Sequence, residues 1–203
     1  DVRLAINPDT WTAAESMLYS MDVVEPLDRG GIEWGIAAEV HLDAPRADVT
    51  LADAVFLLGG NSRVALADAL PASMFDAPIG AEHVTTKGLR LVAVTPAHFA
   101  GGWVPDGLSV QDGAYRGRIP GVDEDVVLRA ALVPRAVHWS GWNMELRGPR
   151  ETTSLVPAGA VYYFEKSSGG RFSPEEALAA WRTPWGRDTN LGFGRIAPGI
   201  WQR

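Results

Sequence analysis

Short stretches of alternating apolar and polar residues recur along the chain, the pattern of strands that bury one face. The longest covers residues 31–42, in which every second residue from Ile32 to Leu42 is apolar. It predicts a long amphipathic strand. Shorter stretches predict further strands at residues 2–6, 55–58, 64–66, 89–94 and 161–165, and one bent strand at 126–139.

One segment carries the end signals of a helix. Ser173 is a capping residue, a proline and two glutamates follow in the first turn, and Arg182 lies in the last turn. These signals predict a helix over Pro174–Arg182 that Pro184 stops. The capping-box spacing at residues 12–15 predicts a helical turn or two before an extended segment at 17–21.

Glycine and proline are frequent, with 22 and 14 of 203 residues. Much of the backbone must therefore lie in turns, which argues against a compact helical bundle. Together with the strands, this predicts an α+β fold, antiparallel and β-rich with few short helices, in a single domain over residues 1–203. No apolar run reaches the roughly 18 residues of a membrane-spanning helix, so no membrane contact is expected.

The sequence lacks the residue clusters of an enzyme or metal site. It has no cysteine, which excludes disulfides and thiolate ligands and fits a reducing, cytoplasmic location. The histidines lack ligand spacing, so no metal or other cofactor is expected. The acidic run at 123–125 is typical of a solvated turn. A binding or scaffolding role is therefore favoured over an enzyme.

Charge is unevenly distributed along the chain. The net charge is −7 overall, −9 over residues 1–110 and +4 from Val126 onward. An acidic total argues against strong autonomous binding of nucleic acid, but it leaves a basic strip in the last third. Of the 18 basic residues, 16 are arginine, which suits bidentate contacts with phosphate.

Three segments combine glycine, arginine and aromatic residues. They are residues 186–195, which include Gly-Phe-Gly and Arg195, residues 59–63, and the Trp- and Arg-containing segment 139–150. Glycine lets a backbone approach phosphate closely, and exposed Trp stacks on bases. Each segment also has a purely structural interpretation, as a tight turn between elements or as buried Trp.

At these residues the chain resembles the third subunit of the Cmr (type III-B) CRISPR effector complex, of the RAMP superfamily. The segments that carry the resemblance span nearly the whole chain: Met17-Leu18-Tyr19, Leu58-Gly59-Gly60-Asn61-Ser62-Arg63, Leu91-Val92-Ala93-Val94-Thr95-Pro96-Ala97-His98-Phe99, Gly141-Trp142-Asn143, Val156-Pro157-Ala158-Gly159-Ala160-Val161-Tyr162-Tyr163-Phe164 and Leu191-Gly192-Phe193-Gly194-Arg195. The resemblance implies a ferredoxin-like, RAMP-related fold. It also implies that a ferredoxin-like half precedes Asp1, so that this chain is the carboxyl-terminal part of a longer subunit.

The resemblance further implies a non-catalytic subunit that grips the repeat-derived 5′ tag of CRISPR RNA. It would anchor the large cyclase-like subunit and contact the backbone RAMP subunits, in antiviral defence. The residues expected to contact RNA are Gly59, Gly60, Arg63, Trp142, Arg150, Gly192, Gly194 and Arg195. Gly194→Val is expected to block RNA while leaving the fold largely intact.

Two other classes of function stay open on the sequence. A carbohydrate-binding β module would use the same surplus of eight Trp residues and would bind independently of salt. An unrecognised hydrolase would use His138 or the acidic residues. RNA binding instead predicts an affinity that falls steeply as salt rises.

Overall fold

The computed structural model describes residues 2–20, 35–39, 53–58, 64–77 and 85–201. The chain divides into two compact units, Asp1–Phe75 and Asp76–Arg203. In the described ranges the strands pair antiparallel, and one α-helix accompanies them. The predicted α+β, β-rich fold class is therefore confirmed. The single domain expected over 1–203 stays a prediction.

The first unit contains two antiparallel ribbons. β1 (Val2–Ile6) pairs with β2 (Ala13–Ser20), and β3 (Val55–Leu57) pairs with β4 (Val64–Leu66). A short 3₁₀ helix covers Ala72–Phe75. The predicted strands are confirmed, but the helical turn at 12–15 is wrong because β2 already begins at Ala13. The backbone pairing of β2 with β1 outweighs the weak local capping signal there.

Only part of the long strand predicted at 31–42 can be compared with the structure. Residues 35–39 are described, lie in no strand and are exposed to solvent. The remaining positions of that prediction lie outside the described residues.

The second unit is built on a six-stranded antiparallel sheet. The strands of this sheet are β5 (Gly88–Ala93), β6 (Leu108–Gln111), β7 (Ala114–Gly117), β8 (Val126–Leu132), β13 (Val161–Lys166) and β14 (Ile196–Trp201). Two separate two-stranded ribbons are formed by β9 (Val137–Trp139), β10 (Trp142–Asn143), β11 (Gly148–Pro149) and β12 (Thr153–Leu155). The sheet order is β14-β5-β13-β8-β7-β6, while β9 pairs with β12 and β10 with β11.

The core of this unit lies on one face of the sheet. Alternation along β13 buries Tyr162 and Phe164, and α1 (Pro174–Arg182) packs against β14. Trp185, just after the helix, lies with its ring 5.3 Å from that of Phe99 and 5.6 Å from that of Tyr162. The other large buried side chains of the core include Leu89, Leu91, Phe172 and Ile196.

The predicted helix is confirmed with its end signals. The Glu176 backbone N–H donates to Ser173 Oγ at 3.3 Å, and the Ser173 N–H donates to Glu176 Oε2 at 2.8 Å. This reciprocal capping box satisfies two backbone donors that a helix start would otherwise leave unpaired. The helix ends at Arg182, and Thr183, its C-cap residue, is already extended just before Pro184.

The bent strand predicted at 126–139 is wrong, because β8 and β9 are separate strands in different sheets. Pro134 lies in the connection and cannot donate a backbone hydrogen bond. The sequence prediction also missed the β6–β7 hairpin. Its turn, Asp112-Gly113, has φ values of +50° and +77°, which fits the Asp-Gly turn favoured in hairpins.

Among the helices of the described residues, none has the length and apolar character needed to cross a membrane.

Candidate nucleic-acid interface

The glycine-rich loop at residues 186–195 joins the end of α1 to β14. Main-chain hydrogen bonds tie it to the segment after β5. Gly194 N–H donates to Pro96 O, Arg187 N–H donates to His98 O, and Val94 N–H donates to Arg195 O, each at 2.8 Å. The shape of the loop is therefore fixed mainly by backbone atoms.

Gly194 is a glycine because of packing inside the protein. Its φ is +79°, and a Cβ at this position would overlap the backbone of Trp185. Gly192 has a similar φ of +87° but faces open space. The expectation that Gly194→Val would leave the fold largely intact is therefore wrong, since a valine there would displace the chain around a core tryptophan.

An acidic residue pins the start of this loop. Asp188 has a φ of +53° and lies 2.6 Å from Nδ1 of His98 through its carboxylate. The Arg187 guanidinium lies 3.7 Å from the Asp106 carboxylate. Side chains thus reinforce the backbone hydrogen bonds.

The Trp- and Arg-containing segment forms a largely exposed hairpin. β10 and β11 pair Trp142 with Pro149. At the base of this hairpin, Arg150 N–H donates to Gly141 O at 2.7 Å, and the Ser140 hydroxyl donates to Arg150 O at 2.8 Å. Trp142 is 58% exposed and the Arg150 side chain is exposed. This base presents one ring and one guanidinium to solvent.

The two segments meet through an aromatic contact. The rings of Trp139 and Phe193 lie 5.6 Å apart at an interplanar angle of 82°, an edge-to-face arrangement favoured by aromatic quadrupoles. Trp139 is the last residue of β9, two residues before the hairpin base, and Phe193 lies between the two loop glycines. The contact therefore places the glycine-rich loop beside the hairpin base.

Neither ring of this contact was among the residues predicted to bind RNA. Phe193 has a sequence signal, an aromatic between glycines, but nothing in the sequence links it to a tryptophan 54 positions earlier. Of the predicted residues, the structure brings Gly192, Gly194 and Arg195 to the loop and Trp142 and Arg150 to the hairpin. Gly59, Gly60 and Arg63 lie outside the described residues.

Arg195 is half-buried. Its N–H donates to the Thr95 hydroxyl at 3.0 Å, and its carbonyl accepts from Val94 N–H. These hydrogen bonds hold the backbone of Arg195 just before β14, so the position of its Cα is fixed.

The acidic residues and the histidine that a hydrolase would use each contact another side chain. Glu124 contacts Lys166 Nζ at 3.1 Å and Asp125 contacts Arg118 Nε at 2.8 Å. His138 Nδ1 lies 3.2 Å from the Ser154 hydroxyl. Across the described part of the chain, no three His, Asp or Glu residues converge as metal ligands would.

The second unit is therefore a β-rich α+β fold with an exposed aromatic and basic surface. The sequence model of the family described as CRISPR-associated protein (Cas_Cmr3) matches residues 2–201. The chain belongs to this family, the Cmr3 subunits of the type III-B CRISPR effector complex, as its motifs predicted. Its partners thus include the other subunits of that complex. No match is found among the curated proteins.

Proposed function

We propose that this subunit binds the repeat-derived 5′ tag of CRISPR RNA, anchors the large cyclase-like subunit and catalyses no cleavage itself. The RAMP relationship and a ferredoxin-like topology belong to the same proposal. The observation that carries the RNA-binding role is the Trp139–Phe193 contact. It joins two sequence-distant segments, each suited to RNA, into one surface.

Each predicted residue has a defined part in this proposal. Trp142 stacks on an unpaired base, a contact worth about 1–3 kcal/mol, and Arg150 and Arg195 bind phosphates. Gly192, which faces open space, leaves room for the RNA backbone. Gly194 acts indirectly by holding the loop on Trp185. Gly59, Gly60 and Arg63 are assigned a similar role from the sequence alone.

The charge of the chain sets a limit on its affinity. Because the net charge is −7, RNA is repelled at long range, and attraction comes only from arginines that lie at the contact surface. The isolated chain is therefore expected to bind short single-stranded RNA weakly, and the assembled complex tightly. Tight binding by the isolated chain at physiological salt, measured by fluorescence anisotropy, would contradict this.

The proposal is tested by guide-RNA binding in the effector complex reconstituted with this subunit. Arg150→Ala is expected to lower the affinity and to reduce the slope of log K against log salt by about one, the effect of one lost phosphate contact. Trp142→Ala should lower the affinity about 5- to 150-fold with the slope unchanged.

Arg171→Ala is the matched control. Arg171 is exposed and its guanidinium contacts Thr85 O, beside the start of β5, whereas the glycine-rich loop adjoins the end of that strand. The control should bind RNA like the wild type. If the Arg150 and Trp142 variants bind RNA as tightly as the wild type, the RNA assignment is refuted. Binding of glycans that does not depend on salt would favour the carbohydrate alternative.

A further inference from the structure

The face of the six-stranded sheet that points away from the core carries a cluster of flat side chains. Arg90 of β5 and Tyr163 of β13 are opposite each other in the strand register, and each alternates with buried core residues of its strand. The ring of Trp201, on β14, lies 5.5 Å from that of Tyr163. Arg90 is exposed and the two aromatic residues are half-buried. We call Arg90, Tyr163 and Trp201 the outer-face cluster.

Two glycines let this cluster lie along the sheet. Trp201 pairs with Gly88 across β14 and β5, and a Cβ on Gly88 would overlap the Trp201 ring. In the next pair on this face, Arg90 is opposite Gly199, and a Cβ on Gly199 would crowd the Arg90 guanidinium. The indole and the guanidinium therefore each lie across a glycine of the neighbouring strand.

The charge of the outer face suits an anionic ligand. Arg116 of β7 is on the same face, because its neighbour Tyr115 packs against the core. Among the described residues, neither Arg90 nor Arg116 forms an ion pair, and the buried Nε of Arg116 has no hydrogen-bond partner. Glu165 of β13 is already paired with Arg129 at 2.8 Å. Two guanidinium groups thus remain for oxygen acceptors such as phosphates.

Aromatic rings beside unpaired arginines are suited to single-stranded RNA. Unpaired bases stack on Tyr and Trp rings and on guanidinium planes, while arginine also binds phosphate. RNA-recognition domains bind single strands in this way, with aromatic residues on the open face of a sheet. A duplex keeps its bases stacked on one another, and an acidic protein surface would pair with the arginines without using the rings.

We propose that this outer face is a second binding surface for single-stranded RNA, where Tyr163 and Trp201 stack on unpaired bases and Arg90 and Arg116 bind phosphates. The surface is separate from the one proposed for the 5′ tag. The length of β14, about 17 Å, separates Trp201 from the glycine-rich loop, and the hairpin base lies on a ribbon outside the sheet. The proposal does not depend on tag binding.

The first test is photocrosslinking of the complete chain to an eight-nucleotide oligouridine that contains 4-thiouridine. Adducts are expected on Tyr163 or Trp201 in the wild type and equally in the Arg150→Ala and Trp142→Ala variants. A failure of the tag-binding proposal would therefore leave these adducts in place. Adducts confined to residues 139–150 and 186–195, or no adduct on either ring in both the chain and the reconstituted effector complex, would overturn the proposal.

The second test measures oligouridine binding by fluorescence anisotropy at low salt. Arg90→Gln should weaken binding at least three-fold and reduce the slope of log K against log salt by about 0.7, the effect of one lost contact with a single strand. Arg90→Lys should restore the slope but not the full affinity, since lysine keeps the charge and lacks the flat guanidinium.

Arg182→Gln is the matched control. Arg182 is exposed on α1, whose buried residues pack on the core side of the sheet, so this variant should bind oligouridine like the wild type. Because Arg90 is also exposed, its variants should keep the wild-type melting temperature, which separates lost binding from lost folding. Wild-type affinity and salt slope in the Arg90→Gln variant would overturn the proposal.

Discussion

At the scale of single residues, Gly192 and Gly194 share a backbone conformation but differ in surroundings. Both have a positive φ near +80° to +90°, a region in which an L side chain costs about 1–2 kcal/mol. Only Gly194 also lies against another backbone, that of Trp185. The same motif therefore contains one glycine required by packing and one that leaves space.

This difference gives a matched pair of variants. Gly194→Ala should lower the free energy of unfolding by at least about 3 kcal/mol, since overlap adds to backbone strain. Gly192→Ala should lower it by about 1 kcal/mol, from strain alone. Urea denaturation of the two variants measures both values. Equal losses would show that the Trp185 contact does not restrict residue 194.

The residue scale also shows what the sequence can predict of the site. The sequence allowed Gly192, Gly194 and Arg195 to be chosen as candidates because residue type and spacing are local, and their contact with RNA stays a prediction. The aromatic contact of Trp139 with Phe193 was not predictable, because it depends on how β9 and the loop fold together. The structural need for Gly194 was equally hidden, since Trp185 comes nine residues earlier and only folding brings the two together.

At the scale of elements, sequence signals predicted a helix or strand correctly where the local preference of the chain agreed with the packing or strand pairing of the fold. The capping box of α1 and the alternation of β13 predicted both elements because burial and propensity favour the same structure. The bent strand at 126–139 was wrong because alternation does not report which sheet a strand joins. The turn at Asp112-Gly113 carried a signal that the strand pattern on either side was too short to reveal.

An ion triad joins three elements of the second unit. Lys166 Nζ, at the end of β13, lies 2.8 Å from Glu176 of α1 and 3.1 Å from Glu124 in the turn before β8. The hydrogen bond to Lys166 lowers the pKa of Glu124 from its ordinary 4.5. Burial opposes the charge of Lys166, but the hydrogen bonds to Glu176 and Glu124 outweigh it and raise its pKa above 10.5.

The lowered pKa of Glu124 and the raised pKa of Lys166 determine how the stability of the fold depends on pH. The Glu124 contribution is present above pH 4.5 and is lost as the pH falls through its lowered pKa. The Lys166 contribution is present below pH 10.5 and is lost as the pH rises through its raised pKa. Lys166→Met should therefore cost about 2 kcal/mol near neutral pH, and the difference from the wild type should shrink towards pH 3.

Thermal melts at a series of pH values measure this effect. Lys87→Met, which removes an exposed lysine outside the triad, should follow the wild-type profile. A Lys166→Met variant with a constant deficit from pH 3 to pH 7 would contradict an origin in the pairs with the two glutamates. It would indicate instead the loss of the cation–π contact with Phe172, whose ring centroid lies 5.4 Å from Nζ.

At the scale of the whole molecule, the described buried core lies within residues 76–203. Residues 76–203 also include all six strands of the main sheet and the α-helix. We expect residues 76–203, expressed alone, to fold cooperatively, because this part carries its own apolar core. Near-ultraviolet circular dichroism and dispersed amide resonances would show the fixed side chains of such a fold.

The same experiment tests the single domain expected from the sequence. If residues 76–203 remain unfolded alone but fold within the complete chain, the two units depend on each other as one domain does. If they fold alone with an unchanged melting temperature, the expectation of a single domain over residues 1–203 is wrong, and the boundary lies near Phe75.

The main-chain anchoring of the glycine-rich loop has a consequence for how this surface can change. The bonds that hold the loop use backbone groups of residues 187, 194 and 195, so the side chains of Asn190 and Leu191 take no part in those bonds. Replacing such side chains alters what the loop presents without altering its path. Under selection, the loop is therefore able to acquire a new ligand preference one substitution at a time, at little cost in foldability.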